Sequence, residues 1–224
     1  MLRKLRIVLP ENFTITAHTG CEKSKDNTIE SLNAAYESGA DIAEFDLNFD
    51  STGNAVLSHN APIEGCITLD DAFRCIATYK KIKVNVDVKS TNNLKAVVAC
   101  AEKYSLTERI FYTGIGEEYV PAVKQQTPSV IYYLNVAVDR KRKNDVVYLN
   151  RLADFVEQQG AVGINLNKKG CSAKLVEVFH QRKLLVSVWT VNKKFEMLKI
   201  LSFAPDNITT RYPSRLIKII QRIK

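Results

Sequence analysis

Long apolar runs are missing from this chain. No stretch approaches the ~18 residues a helix needs to cross a bilayer, which rules out a transmembrane helix. Met1 to Pro10 holds Arg3, Lys4 and Arg6 but no apolar segment long enough for a secretory signal, so a cytoplasmic location is expected. The five cysteines (Cys21, Cys66, Cys75, Cys100, Cys171) are odd in number and lack the paired spacing of a metal site. Cys75 and Cys100 fall on apolar helix faces and read as small core residues. Cys21 and Cys66 fall in loops expected near the site, where a disulfide is the minor alternative to free thiols. Histidine is scarce, with only His18, His59 and His180, and Trp189 is the sole tryptophan. No arginine–aromatic motif marks a nucleic-acid surface, so no nucleic-acid partner is expected.

What is present is enough for a full core. The 224 residues are 46% hydrophobic and 25% charged, within the range of ordinary globular domains. A net charge of +8 and a pI near 9.2 favour anionic partners such as phosphate esters or anionic lipid surfaces. A solvated, lysine-rich surface explains the same numbers.

Strand-like and helix-like runs alternate throughout. Residues 13–17 read as a strand, and Asn27-Thr28 opens a helix whose apolar stripe Ile29, Leu32, Ala35, Tyr36 ends at Gly39. Residues 41–48 form a strand with a hairpin partner at 55–58, and Thr68 caps the second helix. Strands then follow at 83–89, 109–113, 130–135, 162–167, 185–190 and 207–210. Their helices are expected at 92–104, 117–126, 145–159, 172–182, 193–201 and from Pro213 to Ile220. Eight β-then-α units without a linker or composition shift predict one α/β domain over residues 1–224, a single (β/α)8 TIM barrel.

Chemistry collects at the strand ends. Side chains alternate along a strand, so Glu44 and Asp46 share a face. Joined by Asp87 from the next barrel strand, they make a hard oxygen cage suited to Mg2+ or Ca2+. His18 ends the first strand, His59 follows the second, and Lys89 ends the third. Barrel active sites lie at these C-terminal ends. Three carboxylates for a metal, two imidazoles for proton transfer and a lysine for an anion are the parts of a phosphodiester-cleaving enzyme. Alone, Glu-x-Asp is commonly a surface pair and a strand-end histidine a structural one; His180, on a helix, is read as structural. Trp189 is either a pocket wall, stacking on a choline, sugar or glycerol group, or barrel core. Thr113, Asn165 and Asn167 sit at comparable strand ends.

Ala17-His18-Thr19-Gly20, Asp26-Asn27-Thr28, Glu44-Phe45-Asp46, Ser58-His59-Asn60, Thr68-Leu69-Asp70-Asp71-Ala72, Val84 to Lys89 and Val188-Trp189-Thr190-Val191-Asn192 resemble, in register, the glycerophosphodiester phosphodiesterase family. The resemblance runs on to Thr209-Thr210-Arg211-Tyr212-Pro213. It implies a barrel of the phospholipase C-like phosphodiesterase type, one divalent cation on Glu44, Asp46 and Asp87, and catalytic His18 and His59. It also implies hydrolysis of a small-molecule phosphodiester to glycerol 3-phosphate and an alcohol. The family's His-Arg-Gly is here His18-Thr19-Gly20, Glu-x-Lys is Asp87-Val88-Lys89, and His-Asp is His59-Asn60. Arg211 stands where the family usually has aspartate. Closure of the barrel brings the eighth strand beside the first, so Arg211 either replaces the arginine lost at Thr19 as a phosphate ligand or forms an outward ion pair.

The short link from His59 to Thr68, with Asp-x-Lys, also looks like venom phospholipase D toxins that release a cyclic product. Cleavage of lysophospholipids in that manner is one alternative; a catalytically weakened, phosphodiester-binding barrel is another. The last helix sets Arg215, Lys218, Arg222 and Lys224 against Leu216, Ile217, Ile219 and Ile220. It is read as the closing helix of the barrel, with a basic face suited to weak membrane-surface contact.

Overall fold

The structure, a computed structural model, describes residues 7–223. Arg3, Lys4, Arg6 and Lys224 lie outside the described residues. Helices begin where short polar side chains can satisfy the free N–H groups of a first turn. Thr28, Thr68, Asp145 and Ser172 accept from the backbone N–H of Ser31, Asp71, Tyr148 and Leu175 at 3.1–3.2 Å. These caps open α1 (Ile29–Glu37), α2 (Leu69–Ala77), α5 (Val146–Gln159) and α6 (Ala173–Gln181). The remaining helices are α3 (Lys95–Lys103), α4 (Val120–Gln126), α7 (Lys194–Leu201) and α8 (Pro213–Ile223). No described helix is long and apolar enough to cross a membrane.

The strands are β1 (Thr14–Ala17), β2 (Ile42–Phe49), β3 (Ala55–Leu57), β4 (Lys83–Val88), β5 (Ile110–Ile115), β6 (Tyr132–Asn135), β7 (Gly163–Asn167), β8 (Leu185–Trp189) and β9 (Asn207–Thr210). Only β3 is antiparallel, as the hairpin partner of β2. The other eight run parallel in the order β1-β2-β4-β5-β6-β7-β8-β9, and β9 pairs back onto β1. With a helix after each barrel strand, this is the expected single (β/α)8 barrel.

Strand alternation then sorts residues to two sides. Phe45 packs edge-on against Phe73 of α2, ring centroids 6.1 Å apart, which turns its face of β2 toward the helices. Ala43, Leu47, Val84, Val86 and Val88 join that apolar layer between barrel and helices. Glu44 and Asp46 therefore face the lumen, in register with Asn85 and Asp87 of β4. The lumen is unusually polar for such a barrel: Thr16, Asn85, Thr113, Asn165, Ser187 and Asn207 are all buried there. Side-chain hydrogen bonds satisfy them, for example Asn207 Nδ2 to Thr16 Oγ1 at 2.8 Å and Ser187 Oγ to Asn207 Oδ1 at 3.0 Å.

Several boundaries differ from expectation by one to three residues, among them the starts of α3, α4 and β6 and the end of α8. β5 continues past Thr113 to Ile115, because Gly114 (φ +74°) forms a bulge that shifts its pairing with β6.

Candidate active site

A cavity of about 590 Å³ opens at the C-terminal ends of the barrel strands. His18, Glu44, Asp46, His59, Asp87, Lys89, Trp189 and Arg211 all line it. Every site residue expected from sequence is thus brought to one place. Glu44 and Asp46 reach it because they share the lumen face of β2, and Asp87 because it stands opposite Asp46 in the β2–β4 register.

The carboxylates are close. Glu44, Asp46 and Asp87 each offer one oxygen, all within 4.8 Å of one another. Glu44 is buried, and burial pushes its carboxyl up to about 7, with the charges of Asp46 and Asp87 adding to the rise. His18 and the Thr19 N–H, which donates to Glu44 Oε2 at 2.6 Å, oppose it. Burial works against the Asp46 charge too, but Lys89 and Asn27 outweigh it and hold that carboxyl below its usual range. Lys89 Nζ lies 3.0 Å from Asp46 Oδ1 and also bonds Asp87. Despite its own burial, these two carboxylates hold Lys89 protonated. Three converging carboxylates with one cation already drawn between two of them are a donor set that fits a hard divalent metal.

The histidines flank this cluster. His18 Nδ1 is 2.8 Å from the Thr19 carbonyl oxygen, which can only accept, so Nδ1 carries a hydrogen and Nε2 is left for chemistry. His59, in the loop after β3, places Nδ1 3.2 Å from Asp46 Oδ1, and its side chain is 65% exposed. Both rings are oriented the same way, Nδ1 anchored and Nε2 free.

Residues 17–86 and 68–215 match the model of the glycerophosphoryl diester phosphodiesterase family. The chain belongs to that family. As a member it is a phosphodiesterase of a metal-dependent family, and its Glu44, Asp46 and Asp87 cluster could hold the ion. A glycerophosphodiester phosphodiesterase from Caldanaerobacter subterraneus subsp. tengcongensis is 22% identical, over 93% of this chain and 98% of that one. Among solved structures, one of a glycerophosphodiester phosphodiesterase from Parabacteroides distasonis superposes with a TM-score of 0.77 at 20% identity, covering 94% and 98% of the two chains. A phosphodiesterase from Oleispira antarctica, solved with its product sn-glycerol-3-phosphate, gives 0.78 at 17% identity over 95% and 97%.

Within this phosphodiesterase fold, the departures from the family pattern acquire positions. Thr19 is buried, and its hydroxyl accepts from the Asn27 N–H at 2.6 Å, so it braces the loop. Arg211 lies on the pocket rim but grips Asp26 through both nitrogens, at 2.6 and 2.9 Å. The pair closes over Gly20, where a Cβ would come within 1.8 Å of Asp26 and 2.3 Å of Arg211. Arg211 thus lines the pocket and is at the same time ion-paired to Asp26. Trp189 is a pocket wall, its buried indole N–H without an acceptor among the described residues. Thr113 and Asn165 line the same cavity, whereas Asn167 lines a neighbouring one. His180 pairs with Asp206 at 2.8 Å, away from the site.

The cysteines are free. Cys21 is buried beside the site loop, and burial raises its thiol to about 11. Cys66 is not near the site, contrary to expectation: the link after His59 turns down the barrel flank, and Cys66 lines a separate cavity with Cys100. Cys75 and Cys100 are half-buried against the core.

Sequence reasoning did not assign the supporting contacts. Asn27, quoted only as a helix opener and within a family motif, clamps Asp46. Thr113 Oγ1 lies 2.8 Å from both Asp87 Oδ1 and Asn85 Oδ1. Tyr119 donates to the Lys89 carbonyl at 3.0 Å. For Asn27 the signals were its place in the Asp26-Asn27-Thr28 motif and the left-handed tolerance of asparagine next to a cap residue.

Proposed function

We propose that this phosphodiesterase hydrolyses glycerophosphodiesters to glycerol 3-phosphate and an alcohol, with His18 and His59 as the acid–base pair. The observation that carries this reading is two imidazoles, each with a free Nε2, flanking a carboxylate triad in one cavity. Glu44, Asp46 and Asp87 would hold one divalent cation, Mg2+ or Ca2+, which supplies electrostatic stabilisation of charge developing on the phosphate. Lys89 adds positive charge to the same phosphate, and Arg211 approaches it from the rim.

His18, hydrogen-bonded to a neutral carbonyl, acts as the base on the attacking hydroxyl. His59, its Nδ1 anchored on the Asp46 carboxylate so that Nε2 is presented to the cavity, is the acid that donates to the leaving oxygen. Trp189 packs on the organic half of the diester. The open rim after His59 also admits lysophospholipids, the second substrate class. Exposed Arg215, Lys218 and Arg222 on α8 provide weak attraction to an anionic membrane, for an enzyme acting in the cytoplasm.

The deciding experiment measures product release from a panel of glycerophosphodiesters and lysophospholipids with Mg2+, Ca2+ or EDTA, alongside His18→Ala. Metal-dependent turnover lost in the variant supports the reading. Intact substrates with metal still bound would make the chain a phosphodiester-binding barrel instead.

A further inference from the structure

Cations are spread unevenly around the barrel mouth. The histidines and carboxylates stand on the side of β1, β2 and β4, whereas the loops after β6 and β7 form the opposite rim. Those loops carry Arg140, Lys141, Arg142, Lys143, Lys168 and Lys169. Two of these charges are neutralised, Arg142 by Asp145 at 3.1 Å and Lys168 by Glu196 at 2.6 Å. Lys143 spends its donors on the carbonyls of Lys169 and Cys171, at 3.5 and 3.4 Å. Arg140 and Lys169 pair with no carboxylate among the described residues. Both line a cavity of about 280 Å³ that shares Asn135, Asn165 and Trp189 with the catalytic cavity.

The walls of this annex are built, not loose. Ser172 Oγ donates to the Lys143 carbonyl at 2.5 Å, tying the two loops together. Asn167 Oδ1 accepts the Lys169 N–H at 3.0 Å, shaping the turn that presents Lys169. Gly170 approaches Val138 so closely that a Cβ would sit 2.8 Å from its Cβ. The Asn165 amide donates to Asn135 Oδ1 at 3.1 Å, fixing the floor shared by both cavities.

A diester bound at a cation on the triad would have one half near the carboxylates and the other extending across the mouth. We propose that the annex binds an anionic group on that second half, through Arg140 and Lys169. The preferred substrates are then phosphodiesters bearing a further phosphate or carboxylate, and choline or ethanolamine diesters are poor ones because their cationic groups meet two uncompensated positive charges. This inference rests on the phosphodiesterase reading and narrows its substrate class.

The test compares sn-glycero-3-phosphoglycerol with bis(glycerophospho)glycerol, which is the same diester extended by a second glycerophosphate; because the longer compound offers two equivalent scissile diesters, kcat/KM is expressed per diester group. Both are assayed with the metal-loaded enzyme, wild type and R140Q/K169Q. Two solvent-exposed ion pairs together contribute about three- to tenfold, so kcat/KM should favour the doubly charged diester by that factor at low salt. In the double variant, and with added salt, the ratio should fall toward one. Because the readout is a ratio, a general loss of activity cancels. A ratio of one in the wild type, or an undiminished ratio in the variant, overturns the proposal. A monoacyl form of the doubly charged diester, run in parallel, separates the sources: preference for it assigns the anionic group to a lipid headgroup, and preference for the deacylated compound to a soluble diester. If neither diester is cleaved, the functional reading fails separately. Calorimetric binding of bis(glycerophospho)glycerol to His18→Ala still decides the annex: three- to tenfold weaker binding on adding R140Q/K169Q supports it, and equal affinity overturns it.

Discussion

Asn27 grips Asp46 from two directions: its Oδ1 accepts the Asp46 backbone N–H at 3.0 Å while its Nδ2 donates to Asp46 Oδ2 at 2.9 Å. Asp46 Oδ1 is thereby left to face Lys89 and His59. Asn27 holds this pose at φ +56°, a left-handed conformation that asparagine tolerates better than most residues.

Loss of the clamp should weaken metal binding, because partners that orient a ligating carboxylate typically contribute about 10- to 100-fold in affinity. Asn27→Gly removes the amide without straining the backbone, and Asn27→Ala removes it with strain. Calorimetric metal titration should show both variants weakened to a similar degree. Wild-type affinity in Asn27→Gly would show that the backbone, not the clamp, matters.

The carboxyl of Glu44 predicts a pH dependence of opposite sign with and without metal. Its pKa is raised from an ordinary 4.5 to about 7 by burial. A group raised in the folded state contributes stability that is complete below the unfolded value and lost as pH rises through the folded one. The metal-free protein should therefore lose thermal stability between pH 5 and pH 8. Metal binding needs the ionised form, so affinity should fall about tenfold per pH unit below the raised pKa. Calorimetry at pH 6 and pH 8 checks this, and equal affinities would contradict it.

The acid–base assignment separates the two histidines by leaving group. A p-nitrophenyl diester leaves without protonation, so it needs the base but not the acid. General acid–base groups typically contribute about 10²- to 10⁴-fold. His59→Ala should lose that factor on a glycerophosphodiester with an alkyl alcohol and recover most of it on the p-nitrophenyl diester. His18→Ala should stay impaired on both. Equal rescue of the two variants would remove the assignment.

Arg211 gives a two-sided prediction through its partner. If the rim arginine reaches the phosphate, Asp26 competes for it. Arg211→Ala should then raise KM, and Asp26→Asn should lower it by freeing the guanidinium. A purely structural pair behaves differently, since breaking it from either side harms the site alike. Steady-state kinetics of the two variants distinguishes these outcomes.

How legible the site was in the sequence depended on the range of each contact. Glu44 and Asp46 were legible because the period of a strand puts them on one face. Asp87, Lys89 and the histidines followed from the barrel rule that strand ends converge. Eight β/α units were readable because apolar stripes recur at helical spacing and four of the helices open on a capping side chain. Contacts made between loops were not readable. Asp26 meets Arg211 across 185 residues and the closure of the barrel, so the position of Arg211 could be anticipated but its partner could not. Cys66 was misplaced for a similar reason: a loop's composition says nothing about which way it turns. The annex cations had no local periodicity to flag them.

The bulge in β5 was invisible as well, and it carries a last prediction. At Gly114 the chain bends at φ +74°, and an added Cβ would lie 2.5 Å from the Val88 carbonyl oxygen and 2.7 Å from Asp87 Oδ1. Neither neighbour can retreat cheaply, since Val88 is strand backbone and Asp87 is held by Thr113 and Lys89. Gly114→Ala should therefore act twice. Steric conflict and a positive φ should cost about 1–3 kcal/mol of stability, read as a lower denaturation midpoint. Displacement of Asp87 should also weaken metal binding beyond what the stability loss explains. Thr113→Val provides the comparison, as it removes the hydroxyl contact to Asp87 but leaves the bulge intact. If the bulge exists to make room for the carboxylate, Gly114→Ala impairs metal binding more than Thr113→Val does; the reverse order would assign the placement of Asp87 to the hydroxyl.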